Sequence, residues 1–161
     1  MKIVHRSIID NLDVDGPGAI ISINPVDESE VGRASALDRE GAERAVAAAK
    51  AAYPAWAATP VEERERLLGR WLQIMVAEVD DVAALMSAEM GKPIAESLLV
   101  DVTPACATLD YWQRVAHEQL AFRPASPELL LVSHWRAGYR FDPLGVLSII
   151  TPWNYPVAIP M

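Results

Sequence analysis

One cysteine, Cys106, in 161 residues leaves nothing for an internal disulfide and no multi-cysteine metal site. His5, His117 and His134 are too scattered for metal-ligand spacing, so no metal is expected. No apolar run reaches the ~18 uninterrupted residues of a spanning helix. The nearest, at the chain's end, is broken by prolines and by Asn154. Met1-Lys2-Ile3-Val4-His5-Arg6 has no apolar run of signal-peptide length. The chain is therefore expected in a reducing cytoplasm and away from membranes. Basic patches are missing too: Arg64 and Arg66 are balanced by Glu62 and Glu63, and the net charge is -8. An acidic chain of this kind repels nucleic acid and anionic lipid. The eight glycines form neither G-x-G-x-x-G nor G-x-x-x-x-G-K-[ST], so these residues encode no phosphate-cradling loop.

The chain does carry a hydrophobic share of 52% against 22% charged, the balance of a globular domain with its own core. Ala19 to Ile23 reads as a strand stopped by Asn24-Pro25, with Glu30 to Ala34 as its antiparallel return. Asp38 is a helix cap, and Ala42, Ala45, Val46, Ala49, Ala52, Tyr53 and Trp56 mark that helix's inward face. Thr59-Pro60-Val61-Glu62 predicts a second start, with Thr59 capping and Pro60 in the first turn. Leu67, Leu68, Trp71, Leu72, Met75 and Val79 follow at helical spacing. A third helix begins at Asp80-Asp81, turns Val82, Leu85, Met86 and Met90 inward, and ends at Gly91-Lys92-Pro93 with a left-handed glycine. A fourth pattern runs from Ile94 to Ala116, where Pro104 predicts a kink or split. Arg123 to Pro127 reads as a linker. Leu129 to His134 and Tyr139 to Asp142 read as two strands joined near Ala137-Gly138. Gly145 to Ile150 reads as a strand covered on both faces, as in a parallel sheet.

Few residues point to chemistry. Cys106 sits on an apolar helical face with no histidine near it in sequence, the setting of an inert thiol. Glu62-Glu63 and Asp80-Asp81 lie at helix starts, where carboxylates favour the dipole. The turn Thr151-Pro152-Trp153-Asn154-Tyr155-Pro156 is different, because it follows a central-type strand, where open α/β sheets bind ligands. Pro152 and Pro156 stiffen it. Asn154 then offers either a neutral N–H donor to an oxygen becoming negative, or a side chain that only satisfies its own turn. The residues leave both open.

Pro143 to Pro156 resembles the P-x-G-V-…-P-W-N-[FY]-P signature of the NAD(P)-dependent aldehyde dehydrogenase superfamily. Asn24-Pro25-Val26-Asp27 with Val31-Gly32, Ala48 to Trp56, and Glu89-Met90-Gly91-Lys92-Pro93 agree with that family in order and spacing. The resemblance implies an α/β fold: an N-terminal helical layer, a bridging β-hairpin and the first strand of a truncated Rossmann-like sheet. It implies three parts, with residues 1–127 the helical part of a cofactor domain and 128–142 a bridging, oligomer-building hairpin. Residues 143–161 carry the first central strand and the turn. It also implies oxidation of a small-molecule aldehyde to the acid with NAD or NADP, in a homo-oligomer. In such enzymes a cysteine attacks the aldehyde and a glutamate activates water. Asn154 matches the asparagine that donates to the oxyanion. Ile150, Thr151, Pro152 and Trp153 match the segment lining the cofactor. The nucleophile and base lie beyond this chain's last residue in the family, and Cys106 is not at the nucleophile position. The chain alone is therefore expected to be inactive, the N-terminal third of such an enzyme. The alternative is a non-catalytic remnant that binds or oligomerises through exposed strands.

Overall fold

The computed structural model of the chain describes residues 3–125 and 137–161. Its first part is strand-rich. β1 (Ile3–His5), β2 (Ser7–Ile9), β3 (Leu12–Val14), β4 (Gly18–Ile23) and β5 (Glu30–Ala36) precede the helices. β4 and β5 form the expected hairpin, pairing Ala19 with Ser35 and Ile21 with Arg33, and β1 adds parallel to the other edge of β5. Asn24 makes the turn: its Oδ1 accepts from the Val26 N–H at 2.9 Å and its carbonyl accepts from Glu28 at 2.9 Å. The hairpin β2–β3 was not read from the sequence. Asp10 and Asn11 close it with φ of 53° and 60°, the paired positive angles that a two-residue primed turn needs.

α1 (Arg39–Ala58) starts as predicted, with Asp38 Oδ1 accepting from the Gly41 N–H at 2.9 Å. Its predicted inward face is largely solvent-facing: only Ala45 and Tyr53 of that set are half-buried, and Val46 and Trp56 are exposed. Helical spacing identifies a stripe, but a neighbour must be present to cover it. The second start also differs. Thr59 Oγ1 donates back to the Ala55 carbonyl at 3.0 Å, finishing α1, and Pro60 occupies the cap position of α2 (Val61–Ala77) without a side-chain bond. A threonine between two helices can satisfy the last carbonyls of one or the first amides of the other, and here it serves the former.

α3 (Val79–Met90) ends at Gly91 with φ of 72°, the left-handed glycine predicted. α4 (Ile94–Glu96) then runs into a π-helical turn, Ser97–Val102, and α5 (Thr103–Leu120). Pro104 thus divides the long helix, but by widening it rather than breaking it. The Thr103 N–H reaches five residues back to Leu98, and the backbone stays helical at Val102 and Thr103. The core gathers here. Ala83, Met86 and Val102 are buried, with Met75, Val79, Val82, Met90, Leu98, Cys106 and Val157 packed around them.

α2 and α5 are clipped together at their ends. His117 Nδ1 lies 2.9 Å from Glu65 Oε1, which also accepts from the His117 backbone N–H at 2.8 Å. The Glu65 hydrogen bond and charge, with help from Glu118 and Glu62, raise the imidazole above its ordinary value of 6.5. The His117 backbone N–H and ring hold Glu65 below 4.5. The imidazolium's contribution is complete below its unfolded pKa and is lost as pH rises through the raised folded value. The carboxylate's is complete above its unfolded pKa and is lost as pH falls through the lowered one. The clip is therefore strongest between about pH 4.5 and 6.5. His117→Gln is expected to lower the melting temperature at about pH 5.5 and to narrow that deficit at about pH 9. An equal deficit at both would show that charge plays no part in the clip.

Three sequence readings past α5 are corrected. Arg123–Ala125 is no linker but a strand, β6, paired antiparallel with β7 (Ala137–Tyr139), and Pro124 stands opposite Gly138. Proline is tolerated because a two-stranded ribbon has edges where a missing N–H leaves no ladder unmade. Ala137-Gly138, expected at a junction, lies inside β7. Tyr139 is its last residue, and Arg140 to Asp142 make no ladder. The strand expected at Leu129 to His134 lies outside the described residues. Gly145 to Ile150 carries no ladder either, because no described residue pairs with it, and Leu147, Ile149 and Ile150 are exposed rather than covered. No described helix is long and apolar enough to cross a membrane.

Candidate functional site

The turn after this stretch is docked, not loose. Val157 enters the cluster around Ala83, Met86 and Val102. Asp101, 0% exposed within the π-helical turn, accepts from the Ala158 N–H through Oδ1 at 2.5 Å. The Lys92 ammonium lies 3.7 Å from Asp101 Oδ2 and donates to the Asn154 carbonyl at 3.3 Å. It also sits 5.5 Å from the centre of the Tyr155 ring, within cation–π range. Residues 154–158 are therefore met by two groups far back in the sequence, Lys92 after α3 and Asp101 before α5.

The predicted site residues are contiguous in the chain, and the structure exposes most of them. Ile150 is 94% and Trp153 81% exposed, Thr151 and Asn154 are exposed, and Pro152 is half-buried. Large apolar side chains close to Asn154 in sequence are left uncovered by the described residues. Among the described residues nothing hydrogen-bonds the Asn154 carboxamide; the residue is held through its main-chain carbonyl. Asn24 shows what a turn-satisfying asparagine does in this same chain, with its Oδ1 on a backbone N–H two residues on.

The other candidates fall to structural roles. Cys106 packs against the core cluster, and burial pushes its thiol up from 9.0, away from the thiolate that nucleophilic attack requires. Asp80 and Asp81 lie in the first turn of α3, as Glu62 and Glu63 do in α2. Glu63 is engaged by Arg66 at 2.6 Å. Among the described residues there is no cluster of histidine, cysteine and carboxylate side chains able to hold a metal, and His134 lies outside them. Lys92 and Asp101 were missed as site residues. The signal was present: Asp101 stands at helical spacing between Leu98 and Ala105, on the apolar face.

A family profile described as the aldehyde dehydrogenase family matches residues 13–161. The chain is 30% identical over 152 residues to a glutarate-semialdehyde dehydrogenase of Pseudomonas putida, covering 92% of this chain and 30% of that protein. The same figures hold for a succinate-semialdehyde dehydrogenase [NADP(+)] of Escherichia coli. A crystal structure of an aldehyde dehydrogenase from Brucella melitensis superposes with a TM-score of 0.85 at 28% identity, covering 95% of this chain and 31% of that one. The chain thus spans 30% of the length of these curated relatives.

Proposed function

The chain belongs to the aldehyde dehydrogenase family, and from that premise we propose that it is the N-terminal segment of an oxidoreductase converting an aldehyde to its carboxylic acid with NAD or NADP. In this reading Asn154 is the oxyanion donor, and Ile150, Thr151, Pro152 and Trp153 form part of the cofactor wall. The observation that carries it is the carboxamide of Asn154, unengaged among the described residues, on a turn anchored at both the Asn154 carbonyl and Ala158. A side chain that only closed a turn would be consumed by that turn, as Asn24 is.

The residues fit a dinucleotide on one count: exposed Ile150 and Trp153 offer apolar surface that the chain's own packing does not use, the kind of lining that small-molecule sites favour. When bound, the cofactor supplies the hydride acceptor. What this chain supplies is position and a dipole. The Asn154 N–H donates to the aldehyde oxygen as it gains negative charge, and a neutral amide does so without placing a negative charge beside it. The E. coli relative is named for NADP(+), which supports a nicotinamide cofactor here.

Within such an enzyme, residues 1–127 and 143–161 belong to the cofactor domain, and 128–142 are the bridging part that builds a homo-oligomer, in the cytoplasm. Of that bridging part the described residues include β7, which pairs antiparallel with β6 just before it. One observation favours the second reading, a non-catalytic binding or oligomerising module: the exposure of Leu144, Leu147, Ile149 and Ile150.

The test is an assay of two proteins, the 161-residue chain and the product of any longer reading frame that contains it. Succinate and glutarate semialdehydes and simple aldehydes are offered with NAD+ and NADP+. The short chain should give no reduced cofactor, because its one thiol is half-buried against the core cluster and burial holds it in the protonated form. The longer product should give steady turnover. Turnover by the short chain that Cys106→Ala abolishes would overturn the assignment of that thiol. A folded longer product inert to every aldehyde would leave the binding-module reading standing.

A further inference from the structure

The motif Glu89-Met90-Gly91-Lys92-Pro93 marks the end of α3, but the end of a helix needs only the glycine. Lys92 has a further position that capping does not explain. We propose that Lys92 and Asp101 act together as positioning residues that set the direction of the 154–158 turn and so aim the Asn154 side chain. The catalytic half of this statement rests on the proposed donor role of Asn154; the tether itself does not.

The geometry is two-pronged. Asp101 is 0% exposed and Lys92's side chain 13% exposed, so both charges are withdrawn from solvent. A buried carboxylate is tolerated only with partners. Asp101 has the Ala158 N–H on Oδ1, while Oδ2 makes no hydrogen bond among the described residues and faces the Lys92 ammonium at 3.7 Å, an opposite charge rather than a donor in contact. Lys92 in turn donates to the Asn154 carbonyl. The turn is thus gripped at both ends of the stretch from Asn154 to Ala158, with half-buried Val157 packed against the core between the grips. Holding the Asn154 carbonyl fixes the peptide plane that follows that residue, and with it the direction from which its side chain leaves the backbone.

The local sequence builds each prong. Gly91 turns left-handed, φ 72°, and Pro93 limits Lys92 to extended backbone. Ser87 Oγ then donates to the Lys92 carbonyl at 2.6 Å, so the residue's main chain is held before its side chain reaches out. The π-helical turn buries Ser97, Asp101 and Val102 together. Widened turns of this type are frequent at functional sites, and here the widening lies directly under the Asn154 turn.

The experiment is hydrogen exchange with mass spectrometry on the full 161-residue chain, reading peptides that cover residues 153–161. Lys92→Met keeps the apolar stem and removes the ammonium. It should speed exchange in that segment by about tenfold or more while leaving α2 and α5 unchanged. Lys92→Arg, which restores a donor and a positive charge, should return most of the protection. Asp101→Asn keeps an acceptor for the Ala158 N–H but drops the charge, and should give an intermediate rate. Should Asp101→Asn fail to fold, the Lys92 pair of variants decides alone. Unchanged exchange in a folded Lys92→Met protein overturns the tether. So does faster exchange spread evenly over every helix, which would mark a general stability effect. Asn154→Ala in the same assay should leave exchange unchanged, because the tether uses the main-chain carbonyl. A failure of the donor role therefore shows in turnover alone, and a failure of the tether shows in exchange.

Discussion

Asn154→Ala is expected, on the proposed donor role, to lower kcat of the longer product by about 10²–10³, the usual loss when one oxyanion donor is removed, or ~3–4 kcal/mol. The reason lies in where the interaction forms. A carbonyl oxygen in the bound aldehyde accepts a hydrogen bond only weakly, and the oxyanion accepts it strongly, so the amide acts on the transition state more than on substrate binding. Cofactor affinity should change little. Asn154→Asp should be no better than alanine, because it exchanges a donor for a like charge beside the developing oxyanion. If the side chain were structural, the outcome would be a lower melting temperature with near-normal kcat in whatever enzyme remains folded. The structure weighs against that, since among the described residues the carboxamide makes no bond to lose. Near-wild-type turnover in a folded Asn154→Ala enzyme would remove it from the mechanism.

The turn that carries Asn154 was legible in sequence because its setting is local: two prolines, a preceding apolar run and an asparagine between them. The β4–β5 hairpin and the left-handed Gly91 were legible for the same reason. What was not legible depends on partners. The stripe on α1 has the spacing of a buried face, yet Val46 and Trp56 are exposed among the described residues. Thr59 has the right chemistry for either of two helices, and only the geometry shows it serving α1. Asp101 was overlooked because one acid in an apolar helix reads as an imperfection in the pattern. Its meaning comes from Ala158 and Lys92, 57 residues later for the first bond and brought in by the turn at Gly91 for the second. Pattern reading detects faces and caps; it does not detect which distant amide will claim a buried carboxylate.

The 161-residue chain on its own is expected to self-associate, and charged substitutions in residues 144–150 are expected to relieve it. Leu144 is 88% exposed, and Leu147, Ile149 and Ile150 are exposed beside it on backbone that makes no ladder. Unpaired N–H and C=O groups next to apolar side chains are a template for pairing with another chain. Burying each such side chain is worth about 1.5–3 kcal/mol, so a handful reach the lower part of the ~4–15 kcal/mol that association costs in lost freedom. Backbone pairing adds to that. The obvious variant, truncation before Pro143, is a poor test, because it also removes Val157 from the core and leaves Asp101 without the Ala158 N–H. Leu147→Lys with Ile149→Lys keeps those anchors and charges the exposed edge. Size-exclusion chromatography should show the parent chain as large or heterogeneous species that bind a hydrophobic dye. The double-lysine chain should move toward a monomer with weaker dye binding. A sharp monomer peak for the parent, with no dye bound, would show that this stretch is covered within the chain in solution.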